Sequence, residues 1–200
     1  SVKCRQNGIV LSVDNYVPKG YNMQYNRKEQ GVMADYVVIM GYDEHNGSSL
    51  EAGSVSSYEF VKEGIEETMK EVPAEKIISG IPFFTRLWTE TPKTQEELNQ
   101  QAGTEEADYP MKVTSEALGM STAKEKISQA GAQITLDEST GQNYATWEAD
   151  GVTYEIWLED ATSIEPKLKL MKENKLAGTA AWALGQESAD IWDLIAQYVK

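Results

Sequence analysis

The sequence predicts an α/β fold built around a parallel sheet, and three observations lead to that prediction. Four short runs rich in valine and isoleucine lack polar alternation, which is typical of strands covered on both faces. Amphipathic helical patterns lie between and after these runs, as in a chain that alternates strand and helix. With 200 residues, the chain is also long enough to bury a core without disulfides or metals.

The predicted strands are short and almost wholly apolar. The first two are residues 8–13 (GIVLSV) and 36–40 (YVVIM), and the last two are residues 76–81 (KIISGI) and 176–182 (LAGTAAW). Because helical patterns separate them, we expect the four strands to run parallel.

The segment 55–72 carries the first predicted helix. Its apolar residues recur every three or four positions, which places them on one stripe of a helix. Ser54 is predicted to cap this helix and Pro73 to end it.

Two further helices are predicted near the end of the chain. One covers residues 164–171 with Ser163 before it, and the other covers residues 191–198 after Ser188. Both serines are the kind of residue that caps a helix.

The regular alternation breaks between Arg86 and Asp160. Residues 88–110 are polar and contain Pro92, and they predict a long surface excursion. Residues 122–130 predict a short helix within the same region.

A β-hairpin is predicted around Asp150-Gly151. The flanking runs 144–148 and 152–158 alternate in side-chain character, and an Asp-Gly pair between two such runs favours a tight turn. An antiparallel α+β insertion is therefore expected inside the parallel α/β frame.

Composition excludes several classes of function. Lys and Arg number 18 against 32 Asp and Glu, and a net charge of -14 makes nucleic acid and anionic lipid unlikely partners. No apolar run approaches the roughly 18 residues of a membrane span. Cys4 and His45 are the only residues of their types, so an intrachain disulfide and a thiolate or multi-histidine metal site are not expected.

Candidate functional residues follow the predicted strands, because ligands of a parallel sheet meet the chain beyond the carboxyl ends of its strands. Aromatic rings, carboxylates, an amide and an arginine converge there. Such a mixture suits a sugar, since rings cover its apolar faces and polar groups bond its hydroxyls. The positions are Asp14, Asn15, Tyr16, Met40, Tyr42, Asp43, Glu44, His45, Arg86 and Trp182.

Each of these positions also has a purely structural interpretation. Met40 and Tyr42 are equally consistent with core residues at the end of a strand, and Trp182 is consistent with an ordinary core residue. Acidic pairs on loops usually cap the next helix, a lone histidine is more often a hydrogen-bond donor than a catalyst, and a single arginine commonly forms a surface ion pair. No single residue therefore decides the function.

Taken together, four motifs resemble the second half of family-18 glycoside hydrolases. In chain order they are DYVVIMGYDEH (35–45), KIISGIPFFTRLW (76–88), YEIWLED (154–160) and LAGTAAWALGQE (176–187). The likeness extends to Asp14–Pro18 and is strongest to the bacterial spore-germination and cell-wall branch, which includes cortex-lytic N-acetylglucosaminidases.

The resemblance implies the C-terminal half of a (β/α)8 barrel with an α+β insertion after the third strand of this chain. Residues 1–87 and 160–200 would form the half barrel, and residues 88–159 the insertion. The four predicted strands would then be strands five to eight of the family barrel.

One family motif is missing from the sequence. The pattern D-x-x-D-x-D-x-E, whose final glutamate is the family's general acid, does not occur. Glu44 is a poor substitute because the family places the acid on another strand. The resemblance thus implies that this chain alone is inactive.

The resemblance also implies roles for the strand-end residues. The family hydrolyses glycosidic bonds with retention, using the substrate's own 2-acetamido group as the nucleophile. Tyr42 would bond that group, Asp43 would bond the sugar beside it, and Trp182 would be the aromatic floor. Met40 would be a wall of the same subsite and Arg86 would bond the neighbouring position, while Asn15, Glu44 and His45 would lie on the same rim without assigned roles. No metal or cofactor is implied.

Three functions stay open at this point. The chain is predicted to be the substrate-binding half of an extracytoplasmic enzyme acting on chitin or peptidoglycan. Alternatively, it is a non-catalytic, chitinase-like carbohydrate-binding module. A third hypothesis is self-association through the unpaired edges of a half barrel.

Overall fold

A computed structural model describes residues 1–199, so the last residue of the predicted segment 160–200 lies outside it. Among the described residues, no helix combines the length and apolar character that a membrane span requires. The strands are β1 (Ser12–Tyr16), β2 (Tyr36–Met40), β3 (Ile77–Pro82), β4 (Phe84–Pro92), β5 (Met111–Gly119), β6 (Ile134–Asp137), β7 (Gln142–Ala149), β8 (Val152–Trp157) and β9 (Gly178–Trp182). The helices are α1 (Val2–Gln6), α2 (Arg27–Met33), α3 (Tyr58–Met69), α4 (Gln95–Gln100), α5 (Met120–Ala130), α6 (Ala161–Glu173) and α7 (Ile191–Ile195).

The strands form two sheets. A parallel sheet has the order β1-β2-β3-β9, and an antiparallel sheet has the order β5-β4-β8-β7-β6. All strands of the antiparallel sheet lie between β3 and β9 in the chain.

Helices cover one face of the parallel sheet. Val37 and Ile39 of β2 pack against Val61 and Ile65 of α3, and further along the sheet Ile81 of β3 joins a cluster with residues of α6 and α7. On the opposite face, side chains of β1, β2 and β9 are only partly buried or exposed. The expectation that all four strands are covered on both faces is therefore wrong for three of them, and β3 alone is buried almost throughout.

The first strand begins later than predicted. It pairs with β2 from Ser12 opposite Tyr36, whereas Ile9 and Val10 of the predicted run lie outside the sheet and are exposed. The apolar run 8–13 thus overlaps the strand by only two residues, because pairing with β2 rather than apolar character sets the register.

Two helix starts also differ from the prediction. Ser57 caps α3, since its Oγ accepts a hydrogen bond from the Phe60 N–H at 3.3 Å, whereas Ser54 lies before the helix and is buried. Asp160, not Ser163, caps α6. The last helix, α7, ends at Ile195, three residues before the predicted end.

The region predicted as a surface excursion begins as a strand. Trp88 lies in β4 between β5 and β8 and is only 1% exposed. The residues after β4 lie at the surface as α4 and a 3₁₀ turn (Glu105–Asp108). The predicted hairpin is confirmed, with Asp150 and Gly151 both at positive φ between β7 and β8.

Candidate functional site

Strand register gathers four residues into one row on the uncovered face of the parallel sheet. Tyr16 lies opposite Met40, Met40 opposite Gly80, and Gly80 opposite Ala180. Side chains in one such row point to the same side of a sheet. Because Gly80 and Ala180 are small, they leave open space beside Met40.

That space is a cavity of about 170 Å³. It brings together four of the candidate positions, Asp14, Met40, Tyr42 and Trp182. Gly80 is required there, since an added Cβ would lie 2.7 Å from the Ile39 carbonyl oxygen. Trp182 ends β9 and is 60% exposed, so it presents a ring to the cavity instead of filling the core.

Tyr42 is held in place by an aromatic contact. Its ring meets Phe84 edge to face, with 6.1 Å between the ring centroids. Burial raises the pKa of Tyr42 to about 12, and Asp14, Asp43 and Tyr16 add to the rise. A phenol of ordinary pKa, about 10, is already neutral at physiological pH, and the rise leaves Tyr42 able to donate a hydrogen bond.

Asp43 has a strained backbone. Its φ of 62° lies in the left-handed region, which a residue with a Cβ occupies at some energetic cost. Burial raises the pKa of its carboxyl, and Arg86 opposes that rise. Asp43 also lines a second cavity, of about 460 Å³, with Tyr16, Tyr21 and Asn46.

Arg86 retains an unused donor. Its Nη1 donates to Ser115 Oγ at 2.9 Å, while its Nε is buried without a hydrogen-bond partner among residues 1–199. The chain approaches the guanidinium closely at Gly47, where an added Cβ would lie 3.3 Å from Nη1.

Asn15 does not lie on the rim, so that prediction is wrong. Its side chain is 3% exposed on the helix-covered face, where Nδ2 donates to Gln30 Oε1 at 2.7 Å. Strand alternation instead places its neighbours Asp14 and Tyr16 on the uncovered face. Tyr16 pairs with Met40 in the β1–β2 register, and Asp14 lies two residues before Tyr16 on the same strand. Both side chains therefore lie on the same face of the sheet as Met40.

Glu44 and His45 turn toward the segment before α3 and not toward Trp182. The Glu44 carboxylate accepts hydrogen bonds from the Ser57 N–H at 2.7 Å and the Ser57 hydroxyl at 3.0 Å. His45 Nδ1 lies 2.8 Å from the Ser54 carbonyl oxygen. Their placement agrees with the structural interpretation of a helix cap and a loop hydrogen bond.

A buried polar network lies beneath this segment, and sequence reasoning missed it. At its centre the Lys167 ammonium lies 3.0 Å from Glu159, with the two side chains 1% and 0% exposed. Lys167 also donates to Ser56 Oγ at 2.9 Å, and Ser56 Oγ donates to the Gly41 carbonyl at 2.5 Å. The network comprises Ser54, Ser56, Gln142, Glu159, Ser163 and Lys167.

This buried network fixes the backbone directly before Tyr42. Gln142 of β7 donates to Glu159 at 2.7 Å and bonds Ser54, so the antiparallel sheet and α6 both hold the segment 54–57. The sequence carries no local signal for this network, because Glu159 and Lys167 are charged residues of the kind usually found at a surface.

The described residues contain no group of three or more His, Cys, Asp and Glu side chains placed to hold a metal ion.

Comparison with known proteins gives one family. The family model described as "Glycosyl hydrolases family 18" matches residues 5–187. The uncharacterized glycosylase YvbX of Bacillus subtilis is 26% identical over 181 residues, covering 90% of this chain and 47% of that protein. The cortical fragment-lytic enzyme of Bacillus subtilis is 29% identical over 173 residues, covering 86% of this chain and 36% of that protein.

A solved structure agrees with these matches. The spore cortex-lytic enzyme SleL of Bacillus megaterium superposes with a TM-score of 0.79 at 26% identity, covering 100% of this chain and 43% of that one. This chain thus has an α/β fold similar to that enzyme and spans less than half the length of these three relatives.

Proposed function

This chain belongs to the glycosyl hydrolases of family 18, and from that membership we propose that it is the substrate-binding half of an enzyme that cleaves glycans containing N-acetylglucosamine. One observation carries the proposal. Met40, Tyr42 and Trp182, which resemble the family's sugar-binding residues, line a single cavity at the carboxyl ends of parallel strands. Ligands of parallel α/β folds bind at that end.

The proposed architecture is the C-terminal half of a (β/α)8 barrel. Under it, β1, β2, β3 and β9 are barrel strands five to eight, and residues 88–159 are the insertion within the frame 1–87 and 160–200. Two features support it: β1 and β9 each have a single neighbour in the sheet, and the face opposite the helices is uncovered. A preceding part of the protein would complete the sheet and cover that face. Self-association through the same edges is the competing explanation.

The proposed mechanism uses the substrate as its own nucleophile. The acetamido oxygen attacks the anomeric carbon as the glycosidic oxygen takes a proton and leaves, and water then opens the cyclic intermediate with retention. Tyr42 would donate its hydroxyl hydrogen to the acetamido group, since a phenol is protonated at neutral pH. Asp43 would accept from the same group or from the sugar beside it.

The residues around Tyr42 would bind the substrate. Trp182 would lie under the sugar ring, because an exposed indole face matches the apolar C–H face of a pyranose. Met40 would close the side of this subsite. Arg86 would bond the neighbouring sugar through its guanidinium group.

The proton donor would come from outside this chain, because the family's D-x-x-D-x-D-x-E motif is absent from its sequence. The Glu44 carboxylate is occupied by Ser57, which argues against it as a replacement acid. The names of the relatives support a spore or cell-wall glycan and an extracytoplasmic setting for the whole protein.

The test compares two proteins with a fluorogenic N-acetylglucosamine oligomer. We expect no turnover by the 200-residue chain and turnover by a longer protein that includes the preceding region, abolished there by Trp182→Ala. Turnover by the chain alone that is lost on Glu44→Gln would overturn the assignment of the acid. Oligomer binding without cleavage by the longer protein would favour a non-catalytic carbohydrate-binding module.

A further inference from the structure

We propose that a groove between residues 45–51 and residues 93–113 binds a short peptide that carries both an amino group and a carboxylate. The inference rests on the proposed function and sharpens its substrate class, because such peptides are attached to the glycan of peptidoglycan and are absent from chitin. The four charged residues that carry it lie outside the family motifs and the strand-end positions.

Two adjoining cavities form this groove, here called the charged groove. One measures about 540 Å³ and the other about 150 Å³, and they share Ser49, Leu50 and Glu106 as lining residues. Pockets of a few hundred Å³ are of the size that holds a small ligand. Neither cavity shares a lining residue with the cavity at Trp182 or with the cavity at Asp43, so the charged groove is separate from the proposed sugar subsites.

Apolar side chains line part of the charged groove. They are half-buried, and none of them belongs to the three core clusters of residues 1–199. These residues are Leu50, Tyr109, Met111 and Val113. Their surface is available to the methylene groups and backbone of an extended peptide, and covering it with a ligand would stabilise the complex.

The charged groove has an acidic end and a basic end. Glu51 and Glu105 line only the larger cavity, and within residues 1–199 neither carboxylate belongs to an ion pair. Lys93 and Lys112 line only the smaller cavity. The Lys93 ammonium donates to the Glu106 carbonyl at 2.8 Å, which leaves it two further N–H donors. A ligand with an amino group at one end and a carboxylate at the other has the complementary charges.

The mixed lining disfavours simpler ligands. A neutral glycan would leave the two carboxylates and the two ammonium groups of the charged groove without a charged partner. A phosphorylated ligand would meet the carboxylates and the net charge of -14, and a metal cation would meet the ammonium groups. A zwitterionic peptide matches both ends.

The loop 45–51 connects the charged groove with the candidate site. Gly47 of this loop lies against the Arg86 guanidinium, where an added Cβ would be 3.3 Å from Nη1. His45 and Ser48, on either side of Gly47, line the larger cavity. A peptide attached to a sugar beside Arg86 would therefore reach the charged groove by crossing a single loop.

The test uses a peptide whose charges can be removed one at a time. N-acetyl-L-Ala-γ-D-Glu-L-Lys-D-Ala is titrated into the 200-residue chain and followed by NMR, as are its lysine-acetylated form and the form with both carboxyls amidated. We expect Glu105→Gln and Lys112→Met each to weaken binding of the unmodified peptide about two- to fivefold, the scale of one exposed ion pair. The Glu105→Gln loss should vanish with the acetylated peptide, and the Lys112→Met loss with the amidated one.

Lys70→Met is the matched control. Lys70 pairs with Glu67 and its side chain is 65% exposed, whereas Lys112 lies 3.9 Å from Glu97 and is 62% exposed. The control should leave peptide affinity unchanged, because Lys70 does not line the charged groove. Equal losses in Lys70→Met and Lys112→Met would show a general charge effect and overturn the inference.

A parallel titration with the β-1,4-linked N-acetylglucosamine trimer separates this inference from the proposed function. Binding of the trimer without binding of the peptide would overturn the inference and leave the proposed function standing. Binding of the peptide with the expected charge dependence, but not of the trimer, would support the charged groove and overturn the proposed function. If the chain binds neither, both are overturned.

Discussion

Two groups of charged residues in this chain differ in how many of their polar atoms form hydrogen bonds. In the buried network, Glu159 accepts from Lys167, Ser163 and Gln142, and Lys167 also reaches Ser56. Around the candidate site, Arg86 has a buried Nε without a partner in the described chain, and Asp43 has a strained backbone. The polar groups of the buried network are hydrogen-bonded to one another, whereas Arg86 keeps one donor without a partner among the described residues.

The largest effect should come from breaking the buried ion pair. Lys167→Met leaves the Glu159 carboxylate buried without its cation, and we expect a loss of about 3–5 kcal/mol in the free energy of unfolding. Urea denaturation measures this loss. The matched control is Lys169→Met, whose partner Glu165 is exposed, and its unfolding midpoint should not move.

A second change to the pair sharpens this result. Adding Glu159→Leu to Lys167→Met removes both charges, so the double variant should be more stable than Lys167→Met alone. Equal stability of the two variants would show that the unpaired charge is not what destabilises the single one.

The opposite outcome is expected at the candidate site. Trp182→Ala should weaken binding of the N-acetylglucosamine trimer by about 2 kcal/mol or more, as for a central aromatic contact, yet change stability by under about 0.5 kcal/mol. Isothermal titration and urea denaturation of the same sample separate the two effects. A large loss of stability would mean that Trp182 belongs to the core. The candidate site and the buried network would then not differ in their contribution to stability.

Ser56 connects the two regions. Ser56→Ala leaves the Gly41 carbonyl without its hydroxyl donor, and we expect a loss of about 1–3 kcal/mol in stability. Because Gly41 precedes Tyr42, the amide resonances of Tyr42 and Asp43 should shift as well. Unchanged resonances with reduced stability would show that the buried network supports the fold without positioning the site.

The smallest expected effect is a pH dependence at Asp43. Burial raises the pKa of Asp43 in the folded chain, so the folded state holds this proton more tightly than the unfolded chain does. Stability therefore falls as pH rises from the unfolded-state pKa of about 4 through the raised folded value. Asp43→Asn should be more stable relative to wild type at pH 7 than at pH 3. An equal difference at both pH values would contradict this assignment.

Local sequence signals were sufficient where one segment determines its own structure. The bounds of β2 and the turn at Asp150-Gly151 were predicted, because an apolar run between polar residues and an Asp-Gly pair act locally. The grouping of Met40, Tyr42 and Trp182 was also expected, since strand ends of a parallel sheet meet at one edge.

Local sequence signals failed to predict features that depend on contacts with residues distant in the sequence. The start of β1 depends on its register with β2, and one position of alternation separates buried Asn15 from exposed Tyr16. Lys167 and Glu159 are charged residues of the kind usually found at a protein surface. Only the packing of α6 against the rest of the chain shows that they are buried. The place of Tyr21 in the second cavity could not be predicted, because it depends on residues that only the fold brings near it.

The pairing of β3 with β9 has a kinetic consequence. Ile78 pairs with Gly178, and Pro82 with Trp182, across a hundred residues of chain, whereas β7 and β8 meet through a two-residue turn. Closing so long a loop loses chain entropy before any contact compensates for it, and long-range pairing slows folding. We therefore expect the antiparallel hairpins to form first and to shorten the path between β3 and β9, so that the subsite around Trp182 is assembled last.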